Sequence, residues 1–416
     1  MKIVTWNVRR LGRPEKKRAV RRLISKRSCD MLFIQESKIE VVNSRLWRFL
    51  VGHGTLSGDY VGSVGAAWGL ITVWNEKFFT IEQKMLANRY MLVVGSIKSK
   101  NFRCGFGNIY VLNDDSERQA FWGELGSVIK NFDIPWCLGG DFNAVKNVEE
   151  KIGVVHNTSS MSHFSHFIDD IGCMDILMSG GKFTWCSNRR DPSYSRLDRF
   201  LISSEFVLVF QHLAQHCLPR SLSDHNAVLL MAEATNWGPK PFKFFNHWTE
   251  DEEFGKLVQS SWDHFSRAEN TPTNIWDKLR DLKTVIKRWY QQKGADDPLR
   301  ISDFEEEIAR EENHMLTGQE NCCSQDTLAK MKDTLWKLYR EEECSWLQKS
   351  RLKWLQEWDR NTKFFHLSAS VRRCGNYIDK LMTHGNVINK PRDIRDAITE
   401  HFDLHFNNSQ VVMIKE

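Results

Sequence analysis

Along roughly the first 230 residues, short apolar runs rich in β-branched and aromatic side chains alternate with turn residues, and a few longer stretches carry a helical period instead. The pattern predicts strands over Lys2–Trp6, Met31–Ile34, Gly69–Trp74, Met91–Ile97, Arg103–Val111, Pro135–Gly139, Lys182–Cys186, Arg196–Ile202 and Ala227–Met231. It predicts helices over Glu15–Lys26, Ser116–Phe132 and Ser160–Ile171, the second opened by Asp115 or Ser116 as a cap. Strands interleaved with helices in this way read as α/β with a substantial sheet.

Around Trp237, Gly238, Pro239, Lys240 and Pro241 the texture changes. Strand-like runs give way to Glu-, Lys- and Arg-rich segments with Trp and Leu at helical spacing, so a boundary is expected there, between residues 1–236 and 237–416. The stretch from Asp251 to about Arg373 is predicted to be mostly helical. One helix covers Ile275–Gln292, with Ile275, Leu279, Leu282, Val285, Ile286 and Trp289 along one face, and a further helix or pair covers Ser324–Glu357. Trp336, Trp346 and Trp354 read as packing residues of the core or of a partner-facing surface.

A chain of 416 residues holds two or three domains at about 150 residues each. Its 41% hydrophobic and 27% charged residues permit a large core and leave no long disordered tract. The start MKIVTWNVRR is too briefly apolar for a secretory signal, and no stretch approaches a membrane span. Ten cysteines are scattered without a CxxC pair. Reduced thiols, and a nuclear or cytoplasmic rather than secreted protein, are expected. The net charge of +5 conceals an asymmetry: residues 1–28 hold eleven Lys/Arg against the single acid Glu15, so that segment is +10 and the rest sums to −5. Such a basic end attracts a polyanion, and equally forms the solvated face of an amphipathic helix whose stripe is Val20, Leu23 and Ile24.

The chemistry lies at the predicted strand ends. Asn7 and Glu36 follow the first two strands, Tyr110 closes another, Asp141 and Asn143 follow the Pro135–Gly139 strand, Asp198 lies within a strand, and Asp224 is followed by His225. A hard divalent cation takes carboxylate and amide oxygens, which Asn7, Glu36 and Asp224 supply. Attack at phosphorus also needs an activated water and stabilisation of charged oxygens, which Tyr110, Asp141, Asn143 and His225 can provide. No nucleophile elbow, Walker-type glycine loop or HExxH pair is present.

The motifs WNVRRLG (6–12), FIQESK (33–38), GNIYVLND (107–114), GGDFNAV (139–145), FTW (183–185), SRLDRFLIS (195–203) and LSDHNAV (222–228) occur in this order. Together they resemble the endonuclease/exonuclease/phosphatase family, and within it the apurinic-type endonuclease domain of plant non-long-terminal-repeat, LINE-type retrotransposons. The resemblance implies a four-layer α/β/β/α sandwich with the active site at one end of the sheets, followed here by a mostly helical C-terminal region. It implies a magnesium-dependent hydrolase, with manganese as an alternative ion, that nicks DNA. It assigns metal binding to Asn7, Glu36 and Asp224, water activation or proton donation to Asp141, and phosphate contacts to Asn143, Tyr110 and His225, with Asp198 holding the histidine.

The chain departs from the pattern at three places. Arg10 stands where relatives have glycine, Ala67 and Trp68 precede Gly69, and Arg9 replaces an aspartate of repair-type enzymes, which points to a weaker metal site. Arg9, Arg10, Arg189, Arg190 and Tyr194 are candidate nucleic-acid contacts. The segment WLQEWDRNTKFFHLSASVRR (354–373) is similar to the linker that precedes the reverse transcriptase in plant elements. The chain is therefore expected to be an element-derived reading frame ending before its polymerase. Two other functions are compatible with the residues: a catalytically silent relic that at most binds nucleic acid, and a phosphatase or phosphodiesterase of the same fold. DNA is the expected partner, no membrane is involved, and protein partners are unspecified.

Overall fold

The computed structural model describes residues 1–52, 55–65, 68–153, 158–187, 189–210, 213–232, 242–267, 274–293, 300–316, 325–351, 381–383 and 385–407, together with positions 368, 369, 372, 376 and 378. The boundary residues 237–241, Ala67, Trp354 and most of the 354–373 motif lie outside the described residues. The chain divides into two compact units, Met1–Asn236 with Ser370–Glu416, and Trp237–Ala369.

The first unit is built on two mixed sheets. One runs, edge to edge, Met178–Ser179, Leu213–Cys217, Val228–Ala232, Lys2–Asn7, Met31–Gln35, Leu70–Asn75 and Leu56–Val61. The other runs Cys173–Asp175, Asp198–Ser203, Trp136–Asp141, Phe102–Tyr110, Tyr90–Ile97 and Phe79–Ala87. The central strands carry apolar residues on both faces, and successive side chains enter different layers because a strand alternates with period two. Ile3 and Phe33 enter the core shared by the two sheets, where they meet Phe106, Cys137 and Phe200. Val4, Leu32 and Ile34 point the other way, against Val20 and Ile24 of the Pro14–Arg27 helix and Leu46 and Leu50 of the Ser44–Val51 helix. Leu92, Leu138 and Leu201 pack outward against Phe121, Trp122 and Leu125 of the Asp115–Lys130 helix and Phe164 and Phe167 of the Thr158–Asp170 helix. The result is helix, sheet, sheet, helix.

Close backbone approach is needed where the parallel strands Phe102–Tyr110 and Trp136–Asp141 meet, Ile109 facing Gly140. A Cβ on Gly140 would stand 1.9 Å from the Ile109 carbonyl oxygen, so glycine alone fits.

Several sequence expectations are corrected. The Asp115–Lys130 helix is capped by Asp114, whose carboxylate accepts from the N–H groups of Ser116 and Glu117, rather than by Asp115 or Ser116. The Lys182–Cys186 strand shrinks to Trp185–Cys186, and the Arg196–Ile202 strand begins at Asp198, after a separate Tyr194–Ser195 strand. The strands Leu56–Val61, Phe79–Ala87 and Leu213–Cys217 and the helix Ser44–Val51 were not predicted.

The second unit contains helices Glu252–Arg267, Ile275–Gln292, Arg300–Leu316 and Gln325–Ser350. Its core is aromatic: Phe245, Trp248 and Phe254 with Ile286, flanked by Phe242, Leu282, Trp289 and Tyr290. Burial reaches only the C-terminal part of the Ile275–Gln292 stripe. Ile275 and Leu279, expected on the packed face, are exposed. Residues of the first unit near the chain end form a hairpin, Leu381–Thr383 with Asn386–Ile388, and the helix Pro391–Asn407. Among the described residues, no helix is long and apolar enough to cross a membrane.

Candidate active site

The same period-two alternation that fills the shared core delivers the polar site. Counting along the first strand, Ile3, Thr5 and Asn7 share the inner face; on the Phe102–Tyr110 strand, Phe106, Asn108 and Tyr110 do; on the next, Cys137, Gly139 and Asp141 do. Between the sheets, apolar packing thus gives way to a buried polar layer toward one end. Gln35 Nε2 donates to Thr5 Oγ1 at 2.9 Å and to Asn108 Oδ1 at 2.7 Å, while Asn108 Nδ2 crosses to the Ile71 carbonyl at 3.1 Å and to Thr72 Oγ1 at 3.2 Å. This ladder satisfies every one of those amide hydrogens and ties the sheets together below the site. Strand register then sets Tyr110 opposite Asp141, and Asp141 opposite Asp198.

At the strand ends the side chains connect. Asn7 Nδ2 donates to Asp141 Oδ2 at 2.8 Å and to Glu36 Oε1 at 3.0 Å. The Tyr110 hydroxyl donates to the same Glu36 oxygen at 3.1 Å. His225 Nδ1 is 2.9 Å from Asp198 Oδ2, and its Nε2 faces Asp141 Oδ2 at 3.8 Å. Asn143 Nδ2 donates to the Val111 carbonyl at 2.5 Å and more distantly to Asp141 Oδ2, and its N–H donates to Asp141 Oδ1 at 3.0 Å. Asp224 lies at the rim, where Trp185 Nε1 donates to its Oδ2 at 3.1 Å. The loop carrying Asp224 and His225 is pinned twice: Ser223 Oγ donates to the Asn7 carbonyl at 2.8 Å, and Trp6 Nε1 to the His225 carbonyl at 3.2 Å.

The backbone around these groups is strained. Arg9, Arg10, Glu36, Lys38 and Asn143 all have φ between 43° and 80°, the left-handed region that non-glycine residues rarely occupy. Each costs on the order of 1–3 kcal/mol, which the surrounding hydrogen bonds must offset. Arg10, where the resemblance leads one to expect glycine, is the most displaced of them at φ 80°.

Electrostatics separate the acid from the base. Burial raises the Asp141 carboxyl to about 7, against the lowering effect of His225. Burial alone would depress His225, but the carboxylates of Asp198 and Asp141 outweigh it and hold the imidazole at about 9. Burial, with Glu36 and Asp141 adding to it, pushes the Tyr110 phenol well above its ordinary value, so it stays a neutral donor.

The structure brings Asn7, Glu36, Tyr110, Asp141, Asn143, Asp198, Asp224 and His225 to one end of the two sheets. Arg9 joins them: its guanidinium lies 3.7 Å from Glu36 Oε1 and 3.4 Å from Asp224 Oδ2. Arg10 is exposed, its N–H donating to the Glu36 carbonyl at 2.7 Å. Arg189 and Arg190 are exposed on the bend before Tyr194, whose ring packs 5.9 Å from that of Phe183. Sequence reasoning missed three supports. Thr184 Oγ1 accepts from the N–H groups of Leu197 and Asp198, fixing the latter. Lys16 Nζ donates to the Val8 and Arg9 carbonyls at 2.6 and 2.7 Å, holding the strained turn. The fully buried Arg199 bonds Glu150 and Asp175, as does Arg196, beneath Asp198. The motif SRLDRFLIS contains both arginines, yet a sequence gives no sign that they point inward.

Two oxygen-bearing groups could receive a cation. Asp141, Asp198 and His225 place one ligand atom each within 4.8 Å of one another. Here the imidazole Nδ1 is committed to Asp198, which suits an orienting pair, although Asp198 Oδ1 is buried with no hydrogen-bond partner among the described residues. Asn7, Glu36 and Asp224 form the harder donor set. Its carboxylates face cationic groups, Arg9 for both and Lys38 for Glu36, so a bound cation would compete with these charges for the oxygens.

A sequence model described as "Endonuclease/Exonuclease/phosphatase family" matches residues 4–225. The chain is 25% identical over 314 residues to the transposon TX1 uncharacterized 149 kDa protein of Xenopus laevis, a match that covers 72% of this chain and 24% of that protein. The chain thus spans about a quarter of the length of that curated relative. Among solved structures, the AP endonuclease LMAP of Leishmania major superposes with a TM-score of 0.48 at 17% identity, covering 56% of this chain and 88% of that one. The endonuclease domain of TRAS1, a telomere-specific non-LTR retrotransposon, does so with a TM-score of 0.43 at 13% identity, covering 55% and 96%.

Proposed function

The chain belongs to the endonuclease/exonuclease/phosphatase family, and from that premise we propose that its first unit is a magnesium-dependent endonuclease that nicks DNA for a mobile element of the non-long-terminal-repeat type. The observation that carries this reading is the single connected network running from Glu36 through Asn7 to Asp141, and on to the His225–Asp198 pair. A buried acid near neutrality beside an imidazolium is an arrangement suited to proton transfer next to a phosphodiester.

In this reading Glu36 and Asp224, with the amide oxygen of Asn7, hold the divalent ion. When bound, such an ion polarises a phosphoryl oxygen and offsets developing negative charge. Asp141 exchanges a proton with the attacking water or the leaving oxygen, since burial sets its carboxyl at about 7. His225, kept protonated and oriented by Asp198, offers Nε2–H to a phosphoryl oxygen. Tyr110 is a neutral donor beside Glu36. Asn143 spends its amide hydrogens on Val111 and Asp141, so its role is to position Asp141. DNA as substrate is supported by the +10 charge of residues 1–28, which releases counterions on contact with a polyanion. The mobile-element origin is supported by the similarity to the TX1 protein, which extends beyond the family match into the helical region.

The test is nicking of supercoiled plasmid by the full chain with magnesium and with chelator, alongside Asp141→Ala and His225→Ala and a parallel phosphomonoester assay. Magnesium-dependent relaxation that both variants lose is the expected result. Hydrolysis of the monoester without nicking would assign a phosphatase instead, and a folded chain inert in both assays would point to a silent relic.

A further inference from the structure

Arg9 occupies a place that the proposed reaction does not use. Its backbone is fixed on both sides: the Arg9 N–H donates to Asn7 Oδ1 at 3.0 Å, and its carbonyl accepts from Lys16 Nζ at 2.7 Å. From this anchored turn, with φ 43°, the side chain reaches between two carboxylates, Nε 3.7 Å from Glu36 Oε1 and Nη1 3.4 Å from Asp224 Oδ2. In the proposed function these same carboxylates hold the metal ion, and the role of Arg9 rests on that reading. Both contacts are ion pairs without a hydrogen bond, and the Arg9 side chain is 47% exposed. A guanidinium held only by charge, with solvent on one side, is neutralising the acids without being locked to them.

We propose that Arg9 is a built-in, displaceable counter-ion that competes with the divalent cation for Glu36 and Asp224. In the metal-free protein it offsets the repulsion between the two acids. To bind, a cation must drive the guanidinium aside or share the carboxylates with it, and either reduces affinity. A phosphodiester at the mouth changes the balance, because a guanidinium fits phosphate oxygens in a bidentate manner and is drawn off the carboxylates toward them. Metal and nucleic acid would then bind with positive coupling, and linkage requires that each raise the other's affinity by the same factor. Arg9 thereby makes metal loading depend on substrate. It is a positioning residue that acts through the Glu36 and Asp224 carboxylates.

The experiment measures manganese binding to the full chain by calorimetry and by electron paramagnetic resonance, with no DNA present. Wild type is compared with Arg9→Met, Arg9→Lys and Glu36→Gln. Arg9→Met should bind manganese about tenfold or more tightly than wild type, given the size of a single nearby charge at a partly exposed site. It should also unfold at lower temperature in chelator, where the two acids have lost their counter-ion. Arg9→Lys restores the charge and should return the affinity toward that of wild type. Adding a short duplex whose phosphates the enzyme cannot cut should tighten manganese binding to wild type and leave Arg9→Met nearly unchanged. Equal affinity in wild type and Arg9→Met, with binding lost in Glu36→Gln, overturns the counter-ion role and leaves the metal site standing. Binding that is absent throughout, or unaffected by Glu36→Gln, overturns the metal site and this inference with it.

Discussion

Replacing Asp198 by asparagine isolates the charge that sustains His225. Asp198 is fully buried and faces Nδ1 at 2.9 Å, and the imidazole is held at about 9 against an ordinary 6.5. At pH 7.5 that corresponds to roughly thirty protonated molecules for each neutral one. The histidine is raised on folding, so its contribution to stability is fully present below about 6.5 and is lost as the pH climbs through about 9. Raising the imidazole from 6.5 to about 9 corresponds to about 3 kcal/mol. Asparagine keeps the shape but not the charge. Burial is then opposed only by the charges of Asp141 and Asp224, the imidazole falls from its raised value, and the histidine's share of the loss of stability at alkaline pH shrinks. Asp141 titrates on the acid side: raised from 3.8 to about 7, it makes stability fall as the pH rises between those values. The thiols that burial raises, such as Cys137 and Cys173, act at alkaline pH alike in wild type and variant, so the difference between the two proteins above 7.5 reports the histidine. The assay is urea unfolding of the chelated full chain at intervals from pH 6 to 9.5. Wild type should lose stability between 7.5 and 9 more steeply than Asp198→Asn. Parallel slopes in the two proteins would refute the assignment of the proton to His225.

The other predictions concern the frame around the site. Arg199→Met leaves Glu150 and Asp175 buried with only Arg196 to pair them, and should cost about 3 kcal/mol, the low end for a broken buried pair. A change in the urea midpoint equivalent to less than about 1 kcal/mol would show that Arg196 alone suffices. Gly140→Ala drives a methyl into the Ile109 carbonyl and separates the strands that carry Tyr110 and Asp141. It should cost at least about 3 kcal/mol, and a soluble variant melting within about 2 °C of wild type would contradict the close approach.

How much of the fold and site was legible in the sequence depends on the distance over which each feature is decided. The central strands were legible because runs such as KIVTWN and WCLGGD state their own period and composition. Once the inner face is known from Ile3 or Cys137, parity alone puts Asn7 and Asp141 on it. The edge strands were not legible. Phe79–Ala87 is polar along most of its exposed length, and Leu56–Val61 is half-buried throughout, because an edge needs only one neighbour and little apolar surface. Leu213–Cys217 was hidden for a different reason. It buries Gln215, whose Oε1 accepts from the Phe200 N–H and whose Nε2 donates to the Ile176 carbonyl, so a polar residue occupies a core position.

The sequence by itself therefore determined the strand periods, the apolar faces and the inventory of acids, amides and a histidine at strand ends. Tertiary structure alone decided how those groups pair. Arg199 meets Glu150 across 49 positions and Asp175 across 24, and nothing local distinguishes it from a solvated arginine. Arg9 reads in the sequence as a nucleic-acid contact that replaces an acid beside the first strand, and only the folded chain places its guanidinium between Glu36 and Asp224. Burial of apolar side chains follows from patterns a few residues long. The partner of a charge follows from where two distant segments meet, and that depends on the packing of the whole unit.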